Sequence, residues 1–385
     1  MSDRRYALMA GGGTAGHLQP ALAIAEALVD RGHERSTIEF VGSSRGQDRV
    51  ALAGRGFPVT LLPGRGIARS LRPAVLVQNV GAVLGLAAAG VLALGLVWRR
   101  RPEVVVSVGG YASLAASVAA VLLRVPLVLV NVDAVPGAAN RLLARFAAAC
   151  AVGWDDTPLP RAVVTGTPVR PAIAAVGRDD DARRAARLDL GLPPDRPTVV
   201  VFGGSLGARR INGAADGLVA RWSGRPDRSV YQIVGRRDWD AAPPAPADDP
   251  APADGVAVLR VPYEERMDLA YAAADVVVCR AGAMTVAELS VAGVPAVLVP
   301  LPGAPGDHQT ANARVLERAG AAVLLPDAEC TGDRLATILD GLFDDPTSLT
   351  ARGRAARAVG HPDAAEAGAR VVEASTRRPP VRVAP

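Results

Sequence analysis

The residues best suited to chemistry lie in short glycine-rich or small-residue turns, each between an apolar run and a helix-like segment. In Cys279-Arg-Ala-Gly-Ala-Met-Thr-Val-Ala-Glu288 an apolar run meets a small-residue turn and a helix start. Amides at a helix start lack intrahelical partners and carry the positive end of the dipole, so the chain around Ala283, Met284 and Thr285 can meet a phosphate. Glu288, one turn further on, can chelate two vicinal ribose hydroxyls; a carboxylate near a helix start is also explained by the dipole alone. Downstream, Asp307-His-Gln309-Thr-Ala-Asn312 opens another helix with several polar groups.

Three further turns repeat the pattern. Gly11-Gly-Gly-Thr-Ala-Gly-His17 follows the first apolar run and precedes the helical segment Leu18–Leu28. Its glycines allow backbone amides to approach an anion, or simply make a tight turn. His17, at the carboxyl edge of a sheet, is a candidate general base, with a helix-start histidine bonded to the loop backbone as the alternative. Val106-Ser-Val-Gly-Gly-Tyr111-Ala-Ser113 would form another wall, where Tyr111 either bonds a polar substrate or packs on its neighbours. Val201-Phe-Gly-Gly-Ser205-Leu-Gly-Ala-Arg209 offers amides and the Ser205 hydroxyl to a diphosphate.

These turns need a parallel sheet to hold them. Short β-branched runs alternate with Ala/Leu/Arg segments, which is the βαβ rhythm of a sheet covered on both faces. The expected strands are Tyr6–Met9, Ile38–Val41, Val104–Val108, Leu127–Val130 and Val163–Thr165. After Thr167-Pro-Val-Arg-Pro171 and a charged segment at Arg178–Arg187 the rhythm restarts at Thr198–Phe202. It continues through Val230–Val234, Val256–Val261, Val276–Cys279, Ala296–Val299 and Ala322–Leu325. The α/β fold expected is two Rossmann-like domains facing a cleft. Residues 1–168 form the first, 169–355 the second, 356–376 a C-terminal helix packing back on the first, and 377–385 a frayed tail. The Pro/Asp-rich stretch from Asp238 to Gly255 reads as a flexible loop.

Composition narrows the chemistry. The 385 residues suffice for two domains, half of them are apolar, and every one of the 43 basic residues is Arg. Without Lys, a Walker-type phosphate loop and a Schiff-base enzyme are excluded. The net charge of +5 suits an acidic partner, but aromatic residues make up only 4%. Nucleic acid is therefore not expected, for want of stacking platforms or a basic reading motif. Cys150, Cys279 and Cys330 read as reduced, cytosolic residues, and the four scattered histidines give no metal site. The residues before the first apolar run lack the long apolar core and cleavage site of a signal peptide, so secretion is not expected. Gly81–Trp98 is eighteen residues without a charge, flanked by Arg69, Arg72 and Arg99–Arg101. It reads as an interfacial membrane face, a buried helix or a membrane span.

From about residue 6 to 375 these motifs, in this order, resemble the MurG-type glycosyltransferases. That resemblance implies a GT-B fold and transfer of N-acetylglucosamine from UDP-N-acetylglucosamine to undecaprenyl-linked muramoyl-pentapeptide, a step of peptidoglycan synthesis and so of cell-wall biogenesis, shape and division. It implies a peripheral protein on the cytoplasmic face of the cell membrane, with an anionic membrane surface as partner and no metal or other cofactor. By the same resemblance Thr14, Ala15 and Gly16 stand near the donor sugar and diphosphate, and His17 is the base. Tyr111 and Asp133 line the substrate site. Arg170 and Ser205 meet uridine or phosphate, and the chain at Tyr263 and Glu264 borders the donor. Ala283, Met284, Thr285, Val286 and Ala287 form its helix start, Glu288 takes the ribose, and Gln309 the sugar hydroxyls. The chain departs from the family at Val130-Asn-Val-Asp133, where His-Glu-x-Asn is usual, at Thr14-Ala-Gly16 and at Gly166-Thr-Pro-Val-Arg170. Another acceptor, a UDP-sugar epimerase and a non-catalytic nucleotide-sugar binder are the competing readings.

Overall fold

The computed structural model describes residues 4–12, 15–44, 48, 52–63, 73–204, 207–242 and 252–377. It divides into two compact units, one of residues 1–169 with 362–385 and one of residues 170–361. The boundaries read from sequence were 168/169 and 355/356.

The first unit is built as β1 (Ala7–Gly11), α1 (Ala15–Asp30), β2 (Ile38–Ser43), β3 (Val59–Leu62), α2 (Pro73–Arg100), β4 (Val104–Gly109), α3 (Tyr111–Leu122), β5 (Leu127–Asn131), α4 (Ala138–Leu143), β6 (Ala149–Val152) and β7 (Ala162–Val164). Its strands pair in parallel in the order β3-β2-β1-β4-β5-β6-β7. Strand order reverses direction between β1 and β4, and ligands of open α/β sheets bind outside the carboxyl ends at such a point. The Gly11 and Gly109 turns both end there.

The apolar runs of these strands become buried ribbons because helices cover the sheet. Leu8, Val105, Leu127 and Leu129 meet Ala89, Ala93, Leu96 and Val97 of α2 and the alanines of α3 in one core. Gly81–Trp98 therefore lies within a 28-residue helix, one side of which is core. Its outward residues Val91, Leu92 and Trp98 are exposed. Among the described residues no helix is long and apolar enough to cross a membrane.

The second unit contains α5 (Pro171–Ala174), α6 (Asp180–Asp189), β8 (Thr198–Phe202), α7 (Arg209–Arg221), β9 (Ser229–Ile233), β10 (Ala257–Val261), α8 (Met267–Ala273), β11 (Val276–Cys279), α9 (Ala283–Ala292), β12 (Ala296–Leu298), α10 (His308–Arg318), β13 (Ala322–Leu324), α11 (Gly332–Phe343) and α12 (Pro346–Ala358). All its strand pairs are parallel, in the order β10-β9-β8-β11-β12-β13. Here the reversal falls between β8 and β11, where the Gly203 and Arg280 turns begin. Asp179 caps α6 by accepting the Ala182 amide at 2.8 Å, and Gly293 ends α9 in the left-handed region, as glycine does without strain.

The last helix, α13 (Ala364–Ala374), belongs to the first unit. Gly368 lets it approach α1, for a Cβ there would stand 3.0 Å from Ile24. Arg31 at the end of α1 grips Glu373 through Nε at 3.0 Å and Nη2 at 2.8 Å, and His33 Nε2 lies 3.1 Å from the same carboxylate. Of the loop expected from Asp238 to Gly255, residues 243–251 lie outside the described residues, as do 378–385 of the tail.

Candidate functional site

In the second unit the two turns at the β8/β11 switch point border a cavity of about 750 Å³, lined by Phe202, Gly203, Gly204, Gly207, Arg209, Arg210, Arg237, Arg280, Thr285, Leu301 and Gln309. Glycine is required for the β8–α7 turn. A Cβ on Gly203 would stand 2.3 Å from the Ala208 nitrogen, and one on Gly207 2.4 Å from the Val234 carbonyl oxygen. With the side chains removed, backbone borders the cavity directly. Ser205, expected in this turn, lies outside the described residues.

Four guanidiniums border the cavity, held from behind by two carboxylates. Asp238 pairs with Arg237 at 2.8 Å and with Arg209 at 3.6 Å. Asp327 pairs with Arg280 at 2.6 Å and with Arg210 at 3.8 Å. Two positive charges are left over, which complement a diphosphate diester. Arg280 also donates to the carbonyls of Val299 and Pro300 at 3.1 Å, fixing the backbone that leads to Leu301. The Leu301 amide in turn donates to Gln309 Oε1 at 3.0 Å. Asn312, fully buried, donates to the Ala281 carbonyl at 3.2 Å and so steadies the turn after β11.

Gly282 precedes α9 with no side chain capping the helix, leaving the amides of its first residues, Ala283, Met284 and Thr285, available to a ligand. Val286 and Ala287 are buried, and the Val286 amide is already bonded to the Gly282 carbonyl at 3.0 Å, so these two pack the helix. Glu288 is held at both oxygens. The Tyr271 hydroxyl donates to Oε2 at 2.9 Å and Arg170 Nε lies 3.8 Å from Oε1. Burial raises the Glu288 pKa above the ordinary carboxylate value, with Arg170 and the Tyr271 hydroxyl opposing it. Arg170 also reaches the Glu265 carbonyl at 3.4 Å. Tyr263 is exposed beneath the Arg236 guanidinium, 4.1 Å from its ring centre. The Glu264 carboxylate accepts from the Tyr231 hydroxyl and, at 2.7 Å, from the Arg266 amide, so that side chain braces its own turn.

In the first unit, Gly16 and His17 sit in the opening turn of α1, with Ala15 as its first residue; Thr14 lies outside the described residues, and so does the Tyr111 side chain at the start of α3. The His17 ring lies against the backbone of the second glycine turn, since a Cβ on Gly109 would stand 2.9 Å from its Nδ1. Nδ1 is buried with no partner at hydrogen-bonding distance among the described residues. Burial lowers the imidazole pKa below its usual value, with Asp133, the Val108 backbone and Asp48 pulling the other way. Asp133 follows β5, and its carbonyl accepts from Asn131 Nδ2 at 2.6 Å.

All three cysteines are unpaired and buried. Among the described residues no group of three or more His, Cys, Asp or Glu could hold a metal ion, and Asp238, at the start of the Pro/Asp-rich stretch, is ion-paired with arginine. The sequence motifs did not single out Arg209, Arg210, Arg237, Tyr271 or Asp327 as site residues.

Two family models match the chain: the glycosyltransferase family 28 N-terminal domain over residues 7–152 and the family 28 C-terminal domain over residues 198–367. A UDP-N-acetylglucosamine–N-acetylmuramyl-(pentapeptide) pyrophosphoryl-undecaprenol N-acetylglucosamine transferase from a Nocardioides species is 42% identical over 366 residues, covering 95% of this chain and 96% of its own. The protein of the same name from Desulforudis audaxviator is 37% identical over 373 residues, covering 95% and 97%. The crystal structure of Acinetobacter baumannii MurG superposes with a TM-score of 0.76 at 28% identity, covering 96% of this chain and 99% of that one.

Proposed function

Because the chain belongs to glycosyltransferase family 28 and matches its MurG members over nearly its whole length, we infer that it transfers N-acetylglucosamine from UDP-N-acetylglucosamine to an undecaprenyl-pyrophosphoryl-linked N-acetylmuramoyl-pentapeptide. The observation that carries the donor half of this reading is the cavity at the β8/β11 switch point. It combines an uncapped helix start, a glycine turn and four arginines with an excess of two positive charges.

In this reading the uncapped amides of Ala283, Met284 and Thr285, with Arg209 and Arg237, take the diphosphate. Arg170 stands beside the nucleoside, the Glu288 carboxylate accepts from the ribose hydroxyls, and Gln309, its Oε1 already engaged by Leu301, offers its amide nitrogen to the sugar. The acceptor's C4 hydroxyl attacks the anomeric carbon from the face opposite the diphosphate. The glycosidic bond forms with inversion as the bond to UDP breaks. UDP leaves with the bonding pair, and the hydroxyl proton passes to His17. The arginines and helix-start dipole stabilise charge developing on the leaving oxygen, an electrostatic route that requires no metal.

The same reading makes the protein peripheral on the cytoplasmic face of the cell membrane. Support comes from the outward side of α2, where exposed Val91, Leu92 and Trp98 precede the exposed Arg99. Apolar residues can enter the lipid interface there while the Arg99 guanidinium meets anionic headgroups.

The decisive assay incubates purified protein with UDP-N-acetylglucosamine and lipid-linked N-acetylmuramoyl-pentapeptide and follows UDP release. Stoichiometric UDP and lipid-linked disaccharide are expected. UDP release with another alcohol and none with this lipid would overturn the acceptor assignment.

A further inference from the structure

A buried carboxylate lies beneath the first glycine turn. Asp48 follows β2, is 1% exposed, and accepts the Ser43 amide at 2.7 Å. It is packed against backbone on two sides: a Cβ on Gly12 would fall 2.1 Å from its Oδ2, and one on Gly42 2.8 Å from it. The turn is pinned from its other side as well. Gly110, at φ 88°, lies so close that a Cβ there would stand 2.4 Å from the Gly12 carbonyl oxygen, and its neighbour Gly109 bears on the His17 ring. Contacts thus run from Asp48 through Gly12 and Gly110 to Gly109 and the imidazole.

A buried carboxylate beside a site for pyrophosphorylated substrates is electrostatically unfavourable unless something nearby gains from it. One group that gains is His17, which carries positive charge once it holds the acceptor's proton. The groups acting on that ring are Asp133 after β5, Asp48 after β2 and the Val108 backbone of β4.

We propose that Asp48 is a positioning residue for the transfer: its carboxylate seats the Gly12 turn and thereby sets where the His17 imidazole stands against the acceptor hydroxyl. The proposal rests on the reading of His17 as base. Asp48 touches no substrate and takes no proton. It holds the turn and supplies negative charge when the imidazole becomes cationic.

A double-mutant cycle tests the seating. Gly12→Ala is combined with Asp48→Ser, which keeps an acceptor for the Ser43 amide while withdrawing the atoms that crowd Gly12. With both substrates saturating, Gly12→Ala alone should lower kcat at least ~30-fold, but less than ~3-fold further in the Asp48→Ser background, since contacting residues couple. UDP-N-acetylglucosamine affinity, measured by calorimetry on each variant, should fall by less than kcat does, because most of the donor's contacts lie in the other unit. Asp48→Asn should lower kcat about tenfold and move the acid limb of its pH profile to lower pH, because one of the two carboxylates that raise the His17 pKa, the lesser after Asp133, loses its charge. A purely structural loss would scale the profile without moving it. Equal cost of Gly12→Ala in both backgrounds, or an Asp48→Asn acid limb coincident with that of the wild type, overturns the proposal. Wild-type turnover and pH profile in His17→Asn would instead overturn the base assignment, leaving the seating to the cycle alone.

Discussion

The Tyr271 hydroxyl donates to Glu288 Oε2 at 2.9 Å from a wholly buried ring, so the carboxylate assigned to the donor ribose is aimed by a residue of the preceding helix. The hydroxyl favours the ionised form against the burial that raises the Glu288 pKa. Donor affinity should therefore weaken as pH falls through this raised pKa, where protonation costs the carboxylate an acceptor. Tyr271→Phe removes one of the two opposing influences, raises the pKa further, and moves the weakening to higher pH. At neutral pH it should weaken donor affinity by about threefold to tenfold, less than the full worth of a hydrogen bond to a charged group, because the bond is present without donor and counts mainly toward stability. Glu288→Ala should cost at least as much. Calorimetric titration with UDP-N-acetylglucosamine across pH measures both; wild-type affinity in Glu288→Ala removes Glu288 from the donor site, and wild-type affinity in Tyr271→Phe removes Tyr271 as the residue that aims it.

His17 yields a kinetic prediction with a definite sign. Burial lowers its pKa, so the imidazole is neutral and able to accept a proton at pH 7. Turnover should be flat at neutral pH and decline toward acid only below the ordinary histidine pKa of about 6.5. His17→Ala should lower kcat by about 10²- to 10⁴-fold, the usual contribution of general base catalysis, and leave donor affinity unchanged. A variant that loses donor affinity in proportion to turnover would make His17 a donor-binding residue instead.

The strands that carry the glycine turns were legible because β-branched runs mark buried parallel strands; Thr198–Phe202 and Val276–Cys279 agree residue for residue. Two strands were not. Ala149-Cys-Ala-Val152 has a single β-branched residue and becomes a strand between β5 and β7 by pairing, while Val59–Leu62 is a half-buried edge strand that pairs, among the described residues, with β2 alone. The turn motifs were legible because local glycine chemistry sets them, and they fall at the switch points of the two sheets. The arginines around the β8/β11 cavity gave no contrast in a chain whose 43 basic residues are all Arg. Tyr271, Asp327 and Asp48 matter through partners brought near only by the tertiary fold: Tyr271 stands 17 residues from Glu288, and Asp327 stands 47 from Arg280.

The clasp between α1 and α13 makes a prediction about stability. Burial pushes the Glu373 carboxyl up, but hydrogen bonds from Arg31 and His33 outweigh it and hold its pKa below the ordinary value. A carboxyl whose folded pKa is depressed contributes stability that is fully present above its unfolded pKa and disappears as pH falls through the folded value. Protection of the α13 amides from hydrogen exchange should accordingly be constant above about pH 5 and decline below about pH 4.5, after correction for intrinsic rates. Arg31 is about one-third exposed, so the contribution is discounted for screening to about 1 kcal/mol, roughly fivefold in exchange rate. Glu373→Gln should expose α13 by that factor at neutral pH and remove the acid dependence, while protection of β8 and β11 in the other unit is unchanged. Persistence of the same acid dependence in Glu373→Gln would assign it to other carboxylates of the first unit, with Glu366, 3.3 Å from Arg31, the next to substitute.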